Sequence, residues 1–140
     1  MMASTVPFRL ITPTQVVFAG DAELVIAVGT EGEEGILPQH APFLTALKPG
    51  VLRANVVDAG GSRRMELATG EGFMQAFADR VTVLVDRALR FEDVDVTQAQ
   101  EQLNAATERQ RSSSGDLQAY AREQSVIDFA NAKLRLTGHR

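Results

Sequence analysis

The strongest constraint on this chain is a break in pattern near residue 92. Before it, short apolar runs alternate with turn residues. Beyond Asp93 there is no proline, and glycine occurs only at Gly115 and Gly138. Proline is excluded from helix interiors, and glycine there costs about 1 kcal/mol relative to alanine. The first stretch therefore resists helix, while the second, rich in Ala, Gln, Glu and Arg, favours it. Two units are expected, residues 1–91 and 92–140.

In the first unit, residues 8–11, 16–18, 23–28 and 43–47 read as short strands. Gly20-Asp21 and Gly29 bound the third, and Lys48-Pro49-Gly50 suits a tight turn after the fourth. Residues 51–57 and 65–68 flank a segment containing Gly60-Gly61, a hairpin signal because glycine takes positive φ freely. Residues 73–77 and 81–85 flank Ala78-Asp79-Arg80 as a second hairpin. Many short strands at this spacing indicate a β-sandwich or barrel.

In the second unit, Asp95 followed by Gln98 resembles a capping box, and Val96, Ala99, Leu103 and Ala106 fall at helical spacing. Ser112-Ser113-Ser114-Gly115 breaks the pattern. A second helix is expected from about Asp116 to Leu136, with Leu117, Tyr120, Ile127, Ala130 and Leu134 as its apolar stripe and Gln124 as a polar interruption. The fold class is thus α+β: an N-terminal antiparallel β-sandwich followed by a C-terminal antiparallel two-helix hairpin. A buried CH₂ contributes about 0.8 kcal/mol, so stripes rich in alanine predict weak docking of this hairpin.

Function is carried most plausibly by residues 32–43, where glycines, prolines, two carboxylates, a lone histidine and apolar anchors share one loop-sized span. Ile36, Leu37 and Phe43 are expected to pin it, with Glu33, Glu34 and His40 outward. An acid/base pair of His40 with Glu33 or Glu34 would make a hydrolase, but no Ser or Cys nucleophile accompanies it. The competing readings are a structural loop, such a hydrolase, and a soluble adaptor. A net charge of −4 disfavours nucleic-acid binding. The absence of Cys excludes disulfides and thiolate metal sites, and His40 and His139 lie too far apart in sequence to suggest zinc. Neither a signal peptide nor an apolar run of about 20 residues is expected.

Residues 32–43 resemble the signature of the epsilon subunit of bacterial F-type ATP synthases. The resemblance extends to Thr12-Pro13, Val17-Phe18-Ala19-Gly20, Leu47-Lys48-Pro49-Gly50-Val51, Gly72-Phe73-Met74-Gln75-Ala76 and the run from Val81 to Asp86. In the second unit it includes Ser112-Ser113-Ser114-Gly115-Asp116 and the run from Ala130 to Leu136. It implies a non-catalytic rotor subunit of the central stalk, peripheral to the cytoplasmic face of the inner membrane. The expected partners are gamma, the c-ring and, through the helices, the alpha/beta head. It assigns Glu31, Glu33 and Glu34 to the c-ring and His40, Pro42 and Phe43 to gamma. Arg109, Arg111, Arg122, Lys133 and Arg135 are assigned to the beta subunits, with the hairpin opened. At 1.5 Å per residue two such helices would reach about 55 Å end to end, enough to obstruct rotation and inhibit hydrolysis. Some members bind ATP at the hairpin. Here Gln98 and Phe129 stand where those members carry Arg, leaving Asp95 and Lys133 as the remnant of that pattern, so no cofactor is expected. Glu71-Gly72, often Gly-Gly in the family, is expected only to adjust a turn.

Overall fold

The computed structural model describes residues 4–38 and 40–138; His139 and Arg140, part of the basic C-terminal stretch, lie outside them. Nine strands precede two helices: β1 (Val6–Thr12), β2 (Gln15–Gly29), β3 (Gly32–Ile36), β4 (Phe43–Leu47), β5 (Gly50–Asp58), β6 (Gly61–Thr69), β7 (Gly72–Phe77), β8 (Arg80–Val85), β9 (Ala88–Leu89), α1 (Val96–Arg111) and α2 (Leu117–Leu136). The strand order is β1-β8-β7-β4-β2-β5-β6-β9, with β3 on the remaining edge of β2 and β1 also paired to β2.

β2 makes a sandwich from this single path. Its first half pairs β1, and its second half pairs β5 and β3. The strand thus passes from one layer to the other. Gly20-Asp21, expected to bound a strand, instead continues the ladder, with Phe8 opposite Gly20 and Pro7 opposite Asp21. Gly20 is needed there for room: a Cβ would stand 2.9 Å from the Phe18 ring, which packs against Phe8 with centroids 5.5 Å apart. The expected antiparallel pairing holds for every described pair but one. β1 and β8 run parallel, from Phe8 opposite Val81 to Ile11 opposite Leu84. β1 already has β2 as its hairpin neighbour, and β8 covers the edge that would otherwise be open.

Alternation along these strands points Phe8, Leu10, Val25, Leu52, Met74 and Val83 into one core, all of them fully buried. Both expected hairpins form. Gly61, at φ 106°, closes the first opposite Asp58. The second closes on Ala78 and Asp79 alone, at φ 53° and 59°, and Arg80 already belongs to β8. This left-handed pair matches the strand twist, as two-residue hairpin turns require.

Residues 32–43 are not one loop. Gly32–Ile36 form β3, antiparallel to β2, because Ile36 reaches the core opposite Val25. Leu37 does not anchor the segment; it is exposed.

Asp95 caps α1 by accepting from the Gln98 N–H at 3.0 Å. Asp116 caps α2 by accepting from Gln118 N and Ala119 N, each at 3.1 Å. The expected stripe of α2 is partly wrong. Leu117 and Tyr120 are exposed, Tyr120 on an open crevice that it shares with Thr30, Leu47 and Glu71 of the sandwich. Ala130 and Leu134 of that stripe are buried and Ile127 half-buried, and Phe129, Ala132 and Lys133 are buried beside them. Ala99 and Ala106 of α1 are buried as well. Polar bonds do much of the remaining joining. Gln110 donates to Gln124 at 2.8 Å, Gln124 to Asp128 at 2.9 Å, and Arg109 pairs with Glu123 at 3.0 Å. The polar interruption at Gln124 is therefore the centre of an interhelical network. α2 carries the docking onto β5 and β6. Phe129 and Ala132 pack there on Val51 and Ala68, flanked by Leu89 and Leu136, apart from the main core.

Candidate functional site

A sheet with one buried face should expose polar residues on the other. The layer β4-β7-β8-β1 does not. Across its outer face the register aligns Ala46 with Phe73, Phe73 with Leu84, Leu84 with Ile11, and Ile11 with Val16 of β2. At about 4.8 Å between strands, this apolar row spans about 19 Å. Leu44 and Phe77 extend it, and Leu44, Phe73 and Phe77 are each more than half exposed. These residues were not singled out by sequence reasoning. The available signal was that residues 73–77 and 81–85 are apolar at both parities, which one core face cannot use.

The tip of the β2–β3 hairpin borders this row. The Thr30 N–H donates to the Ala46 carbonyl at 3.1 Å, and Glu31 is exposed in the turn. Glu33 and Glu34, being adjacent on a strand, point to opposite faces and cannot act as a pair. Glu33 is engaged by Arg53 at 2.6 Å on the outer face. Glu34 lies half-buried at the rim, its Cγ 3.3 Å from where a Gly29 Cβ would stand. His40 is at the far end of the segment. Its Nδ1 is 2.8 Å from the Ala41 carbonyl, and its ring stands edge-on to Phe43 at 5.6 Å. No acid/base pair with Glu33 or Glu34 forms. Pro42 is exposed, but Phe43 faces the core, and Leu44 is the outward neighbour. Among the described residues no three His, Asp or Glu side chains gather as a metal site needs. None of the helices described is long and apolar enough to cross a membrane.

Residues 5–91 match the model of the ATP synthase delta/epsilon chain β-sandwich domain. The ATP synthase epsilon chain of Chromobacterium violaceum is 37% identical over 127 residues, covering 91% of this chain and 89% of that one. The ATP synthase epsilon chain 1 of Methylococcus capsulatus is 38% identical over 134 residues, covering 96% and 93%. This chain belongs to the epsilon family of ATP synthase subunits. Among solved structures, a chain of the Euglena gracilis mitochondrial ATP synthase shares the fold with TM-score 0.78 at 18% identity, covering 99% of this chain and 84% of that one. A chain of the Tetrahymena thermophila enzyme's central stalk and c-ring gives 0.63 at 14%, covering 95% and 99%. The epsilon chain is an accessory subunit of ATP synthase and not a catalytic one.

The hairpin of this epsilon chain holds its basic residues unequally. Arg109 pairs with Glu123, and Arg111 with Glu108 at 3.2 Å. Arg122 and Arg135 are exposed, Arg135 on a crevice shared with Glu33, Lys48 and Asp128. Lys133 is withdrawn from the surface, its Nζ donating to Gln102 Oε1 at 2.5 Å and lying 5.0 Å from the Phe129 ring centroid. Neither remnant of the nucleotide pattern is idle, since Asp95 is spent on capping α1 and Lys133 on Gln102.

Burial, and then the Arg87 charge, lower the Lys133 pKa from 10.5, with Asp95 opposing. The docked hairpin therefore disfavours the protonated amine. That cost is present at neutral pH and fades as pH rises toward 10.5 and beyond. Lys133→Met should remove it at every pH, and with it the pH dependence of docking. Amide exchange of α2, followed from pH 7 to 10, is the measurement. Exchange corrected for intrinsic rate should slow with pH in the parent and stay flat in the variant.

Proposed function

We propose that this epsilon chain joins gamma to the c-ring through the β-sandwich and restrains ATP hydrolysis through the helical hairpin. The exposed apolar row across β4, β7, β8 and β1 carries the reading. Monomers rarely leave so large an apolar face open unless a partner covers it. Gamma is the assigned partner, with Leu44, Phe73, Phe77 and Leu84 as its contacts and His40 and Pro42 at the margin. The Glu31 turn borders the row, so one face would meet gamma and the tip beside it basic groups of the c-ring. Glu31 is the carboxylate best placed for that, Glu33 being engaged by Arg53 and Glu34 half-buried. Such an assembly would lie against the cytoplasmic face of the inner membrane without insertion.

The hairpin is the regulatory part. Its interface is small and rich in alanine, and α1 docks chiefly through α2. Opened, it would offer Arg109, Arg111, Arg122, Lys133 and Arg135 to acidic surfaces of the beta subunits. ATP is not expected to control this movement, because Gln98 and Phe129 supply no phosphate fork. In a reconstituted enzyme, ending the chain after residue 92 should raise ATP hydrolysis severalfold and leave binding to gamma intact. Unchanged hydrolysis would overturn the inhibitory role. Failure of the full chain to bind gamma in calorimetry would overturn the coupling role.

A further inference from the structure

The turn Gly70-Glu71 between β6 and β7 is held from two sides. Gly70 N–H donates to the Arg87 carbonyl, and Asp86 N–H to the Glu71 carbonyl, both at 2.9 Å. Its flanking glycines have no room for side chains. A Cβ at Gly72 would lie 1.8 Å from the Leu84 carbonyl oxygen, which is backbone and cannot yield. At Gly70 it would lie 1.8 Å from the Asp86 carboxylate. Glu71 is thus the one side chain this turn presents, on a backbone that is already fixed.

That side chain reaches α2, where Ser125 Oγ donates to Glu71 Oε1. Across the same hydrogen-bonded junction, Arg87 lies over the Phe129 ring, its Cζ 4.0 Å from the centroid. Ser125 and Phe129 are four residues apart, so they share one face of the helix. Two sandwich residues tied together through their backbones therefore grip two neighbours on α2. The expectation that Glu71 only adjusts a turn is incomplete.

We propose that this junction is a clasp, and that its Glu71–Ser125 half sets how readily the hairpin leaves the sandwich. The inference rests on the detachable hairpin described above. The two halves differ in kind. Packing around Phe129 is non-directional and tolerates sliding, whereas a hydrogen bond to a carboxylate is directional and holds one register. The bond is partly exposed, so water can take over both groups when it breaks. It acts as a threshold for release and not as a lock. Glu71 also stands two residues before Phe73 of the apolar row, so a subunit seated on that row lies beside the clasp.

The test uses the full chain and amide exchange in α2. Glu71→Ala and Ser125→Ala should each speed exchange there about three- to tenfold, the loss expected for one hydrogen bond in partial contact with water. The double variant should exceed neither single one, because both remove the same bond. Glu71→Gln should retain part of the protection. Since the chain has no cysteine, spin labels at Ala59→Cys and Ser114→Cys report whether opening is detachment. Unchanged exchange in either alanine variant, or effects that multiply, would overturn the clasp. If Phe129→Ala also fails to alter the label distances, the detachable hairpin itself is wrong.

Discussion

Phe73→Asp leaves the isolated chain folded and weakens its association with gamma by more than about a hundredfold, since truncating a central aromatic anchor alone costs 2–4 kcal/mol and the aspartate adds an unpaired buried charge. Phe73 is the large aromatic of the row running from Ala46 to Val16, flanked on its sheet neighbours by Ala46 and Leu84. Its side chain is 54% exposed in the free chain, so the substitution removes little from the fold. Asp in a strand costs up to about 1 kcal/mol, which a thermal melt will register as a shift of several degrees. Leu117→Asp is the matched control. Leu117 is 84% exposed but lies on the hairpin, away from this layer, and its substitution should leave gamma binding unchanged. Calorimetry on the three proteins decides the matter. Equal affinities for the parent and Phe73→Asp would show that gamma sits elsewhere.

Phe129→Ala has the second large effect, and it falls on the hairpin alone. Phe129 is the bulkiest side chain in the satellite cluster, 3% exposed, among Val51, Ala68 and Ala132. Removing a buried phenyl ring costs about 3–5 kcal/mol. At the lower end this multiplies the undocked-to-docked ratio more than a hundredfold, because the apolar contacts left to the interface are smaller side chains, Val51, Ala68, Ala132, Leu89 and Leu136. The main core shares no residue with this cluster, so amides of β5 and β8 should keep their protection while those of α2 lose theirs. Uniform loss across both units would mean that the hairpin and sandwich unfold as one. Protection unchanged in α2 would mean that the helices hold their place without the ring.

The change from strands to helices along the chain was readable because it rests on backbone chemistry, on where Gly and Pro can and cannot sit. The cap at Asp95 was readable for the same reason, being local, whereas Asp116 was read only as the start of the second helix. What escaped was non-local. Gly20-Asp21 looks like a strand boundary until Phe18 is seen folding over the glycine. Glu33 and Glu34 look like a pair until β3 sends them to opposite faces. Leu117 and Tyr120 fit the helical period, but the period cannot say which of its residues a neighbour covers. Phe43 and Leu44 carry the same hydrophobic weight in sequence, and only strand register decides which one meets a partner. Residues 73–77 and 81–85 did hold a clue, since runs apolar at both parities need two apolar neighbours. The Glu71–Ser125 bond spans 54 positions and has no local signature at all.

The parallel contact between β1 and β8 has a bearing on how the chain matures at the ribosome. β1 immediately precedes β2 and can pair with it as soon as both are made, yet its other edge waits for residues 81–84. Closure of such distant segments is slow and comes late. Until then the nascent chain carries an open strand edge beside unburied apolar side chains, a state prone to aggregation. The helical residues that follow β8 are still to be made at about 5–20 per second, which gives the sandwich seconds to shut before the hairpin is complete. The helices would then fold onto a finished platform, so a chain interrupted in their midst would still leave a complete sandwich.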